Sequence, residues 1–373
     1  MKPHNIPVFP SCFTALFAFL VLAASAVSGF AANTKPSAKL EVMAETNELF
    51  WNAVAIDGDR IFVSGPRAFL PEGSTAPALG VLAAHGKPVP YPDQAWNAWK
   101  PGADPAKAFV NVNAIHLDGR GALWVIDSGT PAFGGEALPG APKAVKINLT
   151  TNRVEHVYAF GPDVAFPGSY MNDIRFNGDN AYLTDAGQGA IVVLDLKTGW
   201  ARRTLEKHPS TLGTRPIIVE GKPLSDANDK PIMVNADPLD LSPDGKWLYY
   251  APAGGPWSAI ETKWLDNPAL SAAEVAAHVF PWADLPPTGG SAMDANGDFY
   301  YSELAAMAVK KRTAAGEIST LVQDPRLHWV DAPAIDAQGY IWFPVPQIDR
   351  AAAFNHGKSR MVLPVQLFRL KIR

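Results

Sequence analysis

Residues 113–129 read NAIHLDGRGALWVIDSG. An apolar stretch containing Ala114, Ile115 and Leu117 meets the turn Asp118-Gly119-Arg120-Gly121, and a second run, Leu123-Trp124-Val125-Ile126, ends on Asp127. Two short apolar runs around a glycine turn predict a β-hairpin. The same pattern recurs five more times: NAVAIDGDRIFVSG (52–65), NDIRFNGDNAYLTDAG (172–187), DPLDLSPDGKWLYYAPAG (237–254), GGSAMDANGDFYYSEL (289–304) and DAPAIDAQGYIWFPV (331–345). Its anchors are Ile56, Leu117, Phe176, Leu241, Met293 and Ile335, spaced 61, 59, 65, 52 and 42 residues apart. Each interval has room for a second hairpin, as in 143–160 and 190–205. Four strands per unit, repeated six times, predicts an all-β fold, a six-bladed β-propeller. A two-sheet sandwich is the competing architecture, but it does not explain six matching hairpins. Packing twisted sheets face to face around an axis buries both faces of each and leaves only short edges. The segments 39–45 and 365–372 are the expected closure of the ring, and 270–280 is the best helical segment, a surface insertion.

Composition sets the class. The chain has 373 residues, a net charge of −4 and no run of five basic residues, which argues against a nucleic-acid surface. From Phe13 to Val27 it is almost wholly apolar, and Gly29-Phe30-Ala31 supplies small residues for cleavage. The expectation is a signal peptide over 1–31 and one propeller domain over 32–373, secreted or periplasmic. A membrane anchor is the rival reading, but a span needs about 20 apolar residues, so no membrane span is expected after cleavage. The single cysteine, Cys12, lies in that leader. The remaining chain therefore excludes internal disulfides, zinc–thiolate sites and cysteine nucleophiles.

Four residues before each anchor stand Asn52, Asn113, Asn172, Asp237, Gly289 and Asp331. Five of the six bear a side-chain oxygen, and each opens the first strand of its unit. Such residues also begin strands for local reasons, by satisfying turn backbone. On a propeller, however, these positions converge at one mouth of the central channel. They suit a small polar ligand, or a hard divalent cation such as Ca²⁺, which takes 6–8 oxygens. Asp237 and Asp331 are the two carboxylates of the column, and mutual approach raises a carboxyl pKa. A second column, Asp127, Asp185 and Glu303, is expected to cap the hairpin ends. Trp51, Tyr170 and Trp329 lie just ahead of the first column, as a stacking wall for a ligand or as blade packing. No His-Glu-x-x-His, Gly-x-Ser-x-Gly or phosphate-loop motif occurs.

Several stretches resemble the yellow / major royal jelly protein family: FVSGPRAF (62–69), YPDQAWNAW (91–99), the LWVIDSG of the opening hairpin, AYLTDAGQGAIVVLDLKTGWARR (181–203) and QDPRLHWVDAPAIDAQGYIWF (323–343). The resemblance runs through nearly the whole chain after the leader, in order. It implies a secreted six-bladed propeller that binds a small aromatic or amine ligand, or isomerises one in the manner of dopachrome conversion. Animal members usually carry disulfides, which this chain lacks the cysteines to form, and that departure points to a bacterial, periplasmic relative. The repeat is also distantly similar to the gluconolactonase / regucalcin propellers. These imply one divalent cation (Ca²⁺ or Zn²⁺), with Asn172 and Asp237 at two ligand positions, Asn52 where a Glu is usual, and Asn113 at a substrate contact. Three expectations follow. In the first, Asp237 and Asp331 counter a ligand cation or catalyse its isomerisation, and Asn113 and Asn172 orient it, with Asn52 beside them. In the second, a cation on Asn172 and Asp237, with Asp331 supplying the missing carboxylate, assists lactone hydrolysis. In the third, the protein is a scaffold whose long loops at 68–108 and 206–236 cover the mouth or dock a protein partner.

Overall fold

The computed structural model describes residues 39–373 apart from 48–49, 71–73, 75, 84–85 and 133. The leader expected over 1–31, Cys12 and His85 lie outside the described residues. Strand β1 (Glu41–Thr46) precedes blade 1, which contains β2 (Ala53–Asp57), β3 (Arg60–Ser64), β4 (Leu79–Leu82) and β5 (Pro88–Pro90). Blade 2 is β6 (Val112–Leu117), β7 (Ala122–Asp127), β8 (Lys143–Asn148) and β9 (Arg153–Ala159). Blade 3 is β10 (Met171–Asn177), β11 (Asn180–Asp185), β12 (Ala190–Asp195) and β13 (Ala201–Thr204), followed by a small hairpin of β14 (Ile218–Val219) and β15 (Lys222–Pro223). Blade 4 is β16 (Ala236–Leu241), β17 (Trp247–Pro252), β18 (Trp257–Glu261) and β19 (Phe280–Ala283). Blade 5 is β20 (Ser291–Met293), β21 (Phe299–Glu303), β22 (Ala308–Arg312) and β23 (Ile318–Gln323). Blade 6 is β24 (Ala334–Ile335), β25 (Tyr340–Val345) and β26 (Val365–Lys371), completed by β1 on its outer edge.

The molecule is thus the six-bladed propeller that the repeats predict, and the quoted hairpins are the inner two strands of every blade. Closure uses the two segments expected from sequence: β1 pairs antiparallel with β26, Thr46 opposite Val365. The stretch 68–108, which reads as a loop, carries the two outer strands of blade 1, β4 and β5, and a short helix α1 (Gln94–Asn97). Within 270–280 the helix α2 (Ala272–Ala276) is short. A capping box between Ser271 and Glu274 starts it, and the chain then enters β19.

Burial explains why the inner strands are continuously apolar rather than alternating. In β7, Leu123 and Val125 pack toward Ala55 and Phe62 of blade 1, while Trp124 and Ile126 pack toward Ile174 and Leu183 of blade 3. Successive side chains leave a strand on opposite faces, and here both faces meet another sheet. Equivalent clusters join blades 3 and 4, 4 and 5, 5 and 6, and 6 and 1. Turn chemistry follows the same economy. Asn177 pairs with Asn180 across two residues, and the first of them, Gly178, has φ +59°, a conformation that glycine adopts without steric cost. Among the described residues no helix is long and apolar enough to cross a membrane.

Candidate functional site

Three inner strands begin with a β-bulge, and the bulge falls on the predicted column. In blade 2 the register passes from Val112↔Asp127 to Ala114↔Ile126, leaving Asn113 as the extra residue. Blade 3 shifts between Met171 and Ile174, around Asn172, and blade 4 between Ala236 and Leu239, around Asp237. A bulge bends the strand and re-aims one side chain. These three side chains therefore turn along the ring instead of joining the blade faces.

The amides form a directed chain. Asn52 Nδ2 donates to Asn113 O at 3.0 Å. Asn113 Nδ2 donates to Asn172 O at 3.0 Å and to Asn172 Oδ1 at 3.1 Å. Asn172 in turn hydrogen-bonds Asp237, and Asp237 feels the charge of Asp331. Tyr170 Oη donates to Asn113 Oδ1 at 3.0 Å and accepts from Asn111 Nδ2 at 3.3 Å. Thr184 Oγ1 donates to Asp237 O at 2.6 Å, and Trp329 Nε1 to Asp331 Oδ2 at 3.0 Å. Asn52, Asn113, Asn172, Asp237 and Asp331 are thereby linked around one mouth, with Tyr170 and Trp329 attached to it. Trp51 lies elsewhere: it is fully buried against Val54, Trp342 and Leu367 between blades 1 and 6. Gly289 is blank for a packing reason. A Cβ there would sit 2.6 Å from Val330 O and 3.2 Å from Trp329 Nε1.

Electrostatics at the mouth are dominated by burial. Desolvation first, and then the nearby Asp331 and Asp173, push the Asp237 carboxyl well above the ordinary carboxylate range. Burial likewise raises Asp331, to about 7, with Asp173 adding to the shift and the bonds from Ala332 N–H and Trp329 opposing it. Burial also raises the Tyr170 phenol, so it stays protonated. At neutral pH the pair therefore retains a proton that ordinary aspartates would have lost.

The second column is structural. Asp127 Oδ1 accepts from Asn111 N–H and Gly129 N–H, each at 2.9 Å, while its Oδ2 accepts from Val110 N–H at 2.8 Å and Lys143 Nζ at 2.7 Å. Asp185 repeats the device with Tyr170 N–H at 2.8 Å and Arg203 Nη1 at 2.8 Å. Each acid clamps the segment that enters an inner strand. Lys143 and Arg203 were not legible as site supports, because their partners come from other strands. Glu303 pairs with Lys310 at 3.1 Å.

The mouth is flanked by an apolar cap. Phe50, Ile217, Leu224 and Ile348 pack with Trp329, so the 206–236 segment braces the ring that donates to Asp331. Asn172 and Asp237 do not fit a resident cation as they stand. Asn172 Oδ1 accepts from Asn113, and among the described residues no group of three or more His, Cys, Asp or Glu is arranged to hold a metal.

A propeller whose inner strands present amides and paired acids at one channel mouth defines the class. The model of the family "Major royal jelly protein" matches residues 110–368, and the chain belongs to that family. Protein yellow of Drosophila pseudoobscura pseudoobscura is 32% identical over 163 residues, which is 39% of this chain and 28% of the insect protein. The chain thus spans under a third of the length of the curated relatives it matches. A gluconolactonase from Xanthomonas campestris superposes with TM-score 0.53 at 12% identity, covering 90% of each chain. A calcium-binding regucalcin from Agrobacterium tumefaciens gives 0.51 at 12% identity, covering 89% of this chain and 94% of its own. At these identities the two structures share the fold.

Proposed function

We propose that the channel mouth binds a small polar or aromatic ligand and that the Asp237–Asp331 pair moves a proton on it, a dopachrome-type tautomerisation. The observation that carries this reading is the pair itself: two half-buried acids, Asp237 linked through Asn172 to the amide chain and close to Asp331, both with raised proton affinity. General acid–base work is most effective when a group's pKa lies near the operating pH. Asp331, near 7, suits the base that takes a proton from carbon. Asp237, whose carboxyl is also held well above the ordinary range, suits the acid that returns one to oxygen. The bonding electrons shift within the ligand, so no oxidant is needed. Asn113 and Asn172 orient the ligand, and the Trp329 ring closes one side.

Dopachrome decay, followed by its visible absorbance, tests the activity. Wild type is expected to accelerate it, and Asp331→Asn and Asp237→Asn to lose about 10²–10⁴-fold of that acceleration. Absence of both catalysis and calorimetric binding of dopachrome or dopamine would remove the reading. Metal-assisted lactone hydrolysis is the second reading: its support is the proximity of Asp331 to Asp237 beside Asn172, and it requires a cation to displace the bond that Asn113 makes to Asn172 Oδ1. A stoichiometric cation that survives dialysis, with lactone turnover lost in Asp237→Ala, would put it first. Export belongs to the proposal too. It rests on the apolar run from Phe13 to Val27. N-terminal sequencing of the exported protein is expected to begin at Ala32.

A further inference from the structure

The opposite end of the channel holds a cavity of about 400 Å³, to which all six blades contribute. One residue from each shows its character: Val54, His116, Phe176, Leu241, Met293 and Ile335. A crossbar of buried charge, reached by Arg175 and Asp240, forms its inner wall. Arg175 Nη1 donates to Asp173 Oδ2 at 2.6 Å and its Nε to Asp240 Oδ1 at 3.0 Å, while Ser291 Oγ donates to Asp240 Oδ2 at 2.6 Å. Blades 3, 4 and 5 are thus tied together between this vestibule and the Asp237–Asp331 mouth.

We propose that this vestibule is a second binding site, separate from the acid pair, for an uncharged aromatic molecule bearing one hydroxyl group. Size fits, since small-molecule pockets span roughly 300–1,000 Å³. Charge selects against ions. Of the charged residues that line it, Asp240 is already paired with Arg175 and bonded by Ser291, and Asp118 accepts from Arg120 N–H, Ala122 N–H and Trp124 Nε1, so an ion entering the cavity loses water without finding a free counter-charge. A flat ring has a matching wall, because His116 stacks on Phe176 at 6.0 Å and 27°, and Trp124 lies 4.9 Å from Phe176. The hydroxyl has partners. A guanidinium carries five N–H groups. Four of those on Arg175 go to Asp240, Asp173, Ile174 O and, at 3.4 Å, Ser291 O, which leaves one. His116 is held neutral by burial and by Arg175, so its ring offers one donor and one acceptor.

Calorimetric titration of the whole chain with 1-naphthol tests the site. One molecule is expected to bind. Ala334→Leu and Ala292→Leu, which fill the cavity from two different blades, should each weaken binding at least tenfold, and His116→Phe several-fold. Asp331→Asn should leave it unchanged, and 1-naphthalenesulfonate and 1-naphthylmethylammonium should bind at least tenfold more weakly. Near-ultraviolet circular dichroism confirms that each variant is folded. If one filling variant does not fold, the other and His116→Phe decide. No binding to wild type overturns the proposal, as does binding untouched in the folded variants. Loss in Asp331→Asn would assign the ligand to the other mouth and equally overturn it.

Discussion

Asp331 shows how one residue links site chemistry to stability. Its pKa of about 7 in the fold exceeds the ordinary value, so between roughly pH 4 and 7 the native state binds a proton that the unfolded chain does not. Stability contributed by this group is therefore greatest at acid pH, falls as pH rises through that window, and stays low above it. Asp331→Asn removes the charge while keeping the shape. It is expected to stabilise the protein by a few kcal/mol at most at pH 8, and by less at pH 5, as read from denaturant midpoints. The same change abolishes the proposed base, so stability and turnover should move in opposite directions. A variant destabilised at pH 8 would show that Asp331 holds the fold through Trp329 and Ala332 rather than straining it. The column itself was readable from sequence because it recurs at a constant offset from each anchor. Trp51 stands one residue before the column, whereas Tyr170 and Trp329 stand two before it, and only those two reach the mouth. Successive residues of an extended chain leave it on opposite sides, so the counterpart in blade 1 is Phe50, which packs with Trp329.

At the scale of elements, the bulges and clamps separate what pattern can tell from what it cannot. Hairpins are local and were legible from glycine turns and apolar runs. The bulges at Asn113, Asn172 and Asp237 were not, because one extra residue leaves the hydrophobic pattern nearly unchanged while re-aiming a side chain. The clamp acids are legible as strand-end aspartates, but their cations are not. Lys143 and Asp127 are both fully buried. Lys143→Met leaves Asp127 buried without its cation and is expected to cost about 3–5 kcal/mol, measured by urea unfolding. Asp127→Asn in the same background should recover part of that loss. No recovery would mean that Lys143 acts through packing instead of charge. Gly289 makes a sharper claim, because its constraint is backbone contact with Val330. Gly289→Ala should destabilise by about 1–3 kcal/mol and displace Trp329, visible as a shift in tryptophan emission. An unchanged midpoint would show that blade 5 has slack at the mouth.

For the whole molecule, the decisive feature is that both ends of the described chain meet in blade 6. Six units at intervals of 42 to 65 residues imply a circle, and sequence alone could nominate the closing strands. Their unequal standing emerges only from position within the blade. Strand β26 lies between β25 and β1, and its Leu367, Phe368 and Leu370 are fully buried against both neighbouring blades. Strand β1 lies on the outer edge and alternates between exposed and buried residues. Removing β26 strips β1 of its partner and leaves blade 6 as two strands, a unit that is at best marginal in water. A chain ending at Leu363 is therefore expected to lose cooperative unfolding altogether. A chain lacking residues 1–46 gives up only an edge and should unfold cooperatively, with a Tm lowered by roughly 5–10 °C. Thermal melts followed by circular dichroism distinguish the two. Equal damage from both deletions would mean that the ring depends on the outer edge as much as on its interior, and blade 6 would then be a clasp held equally from either end.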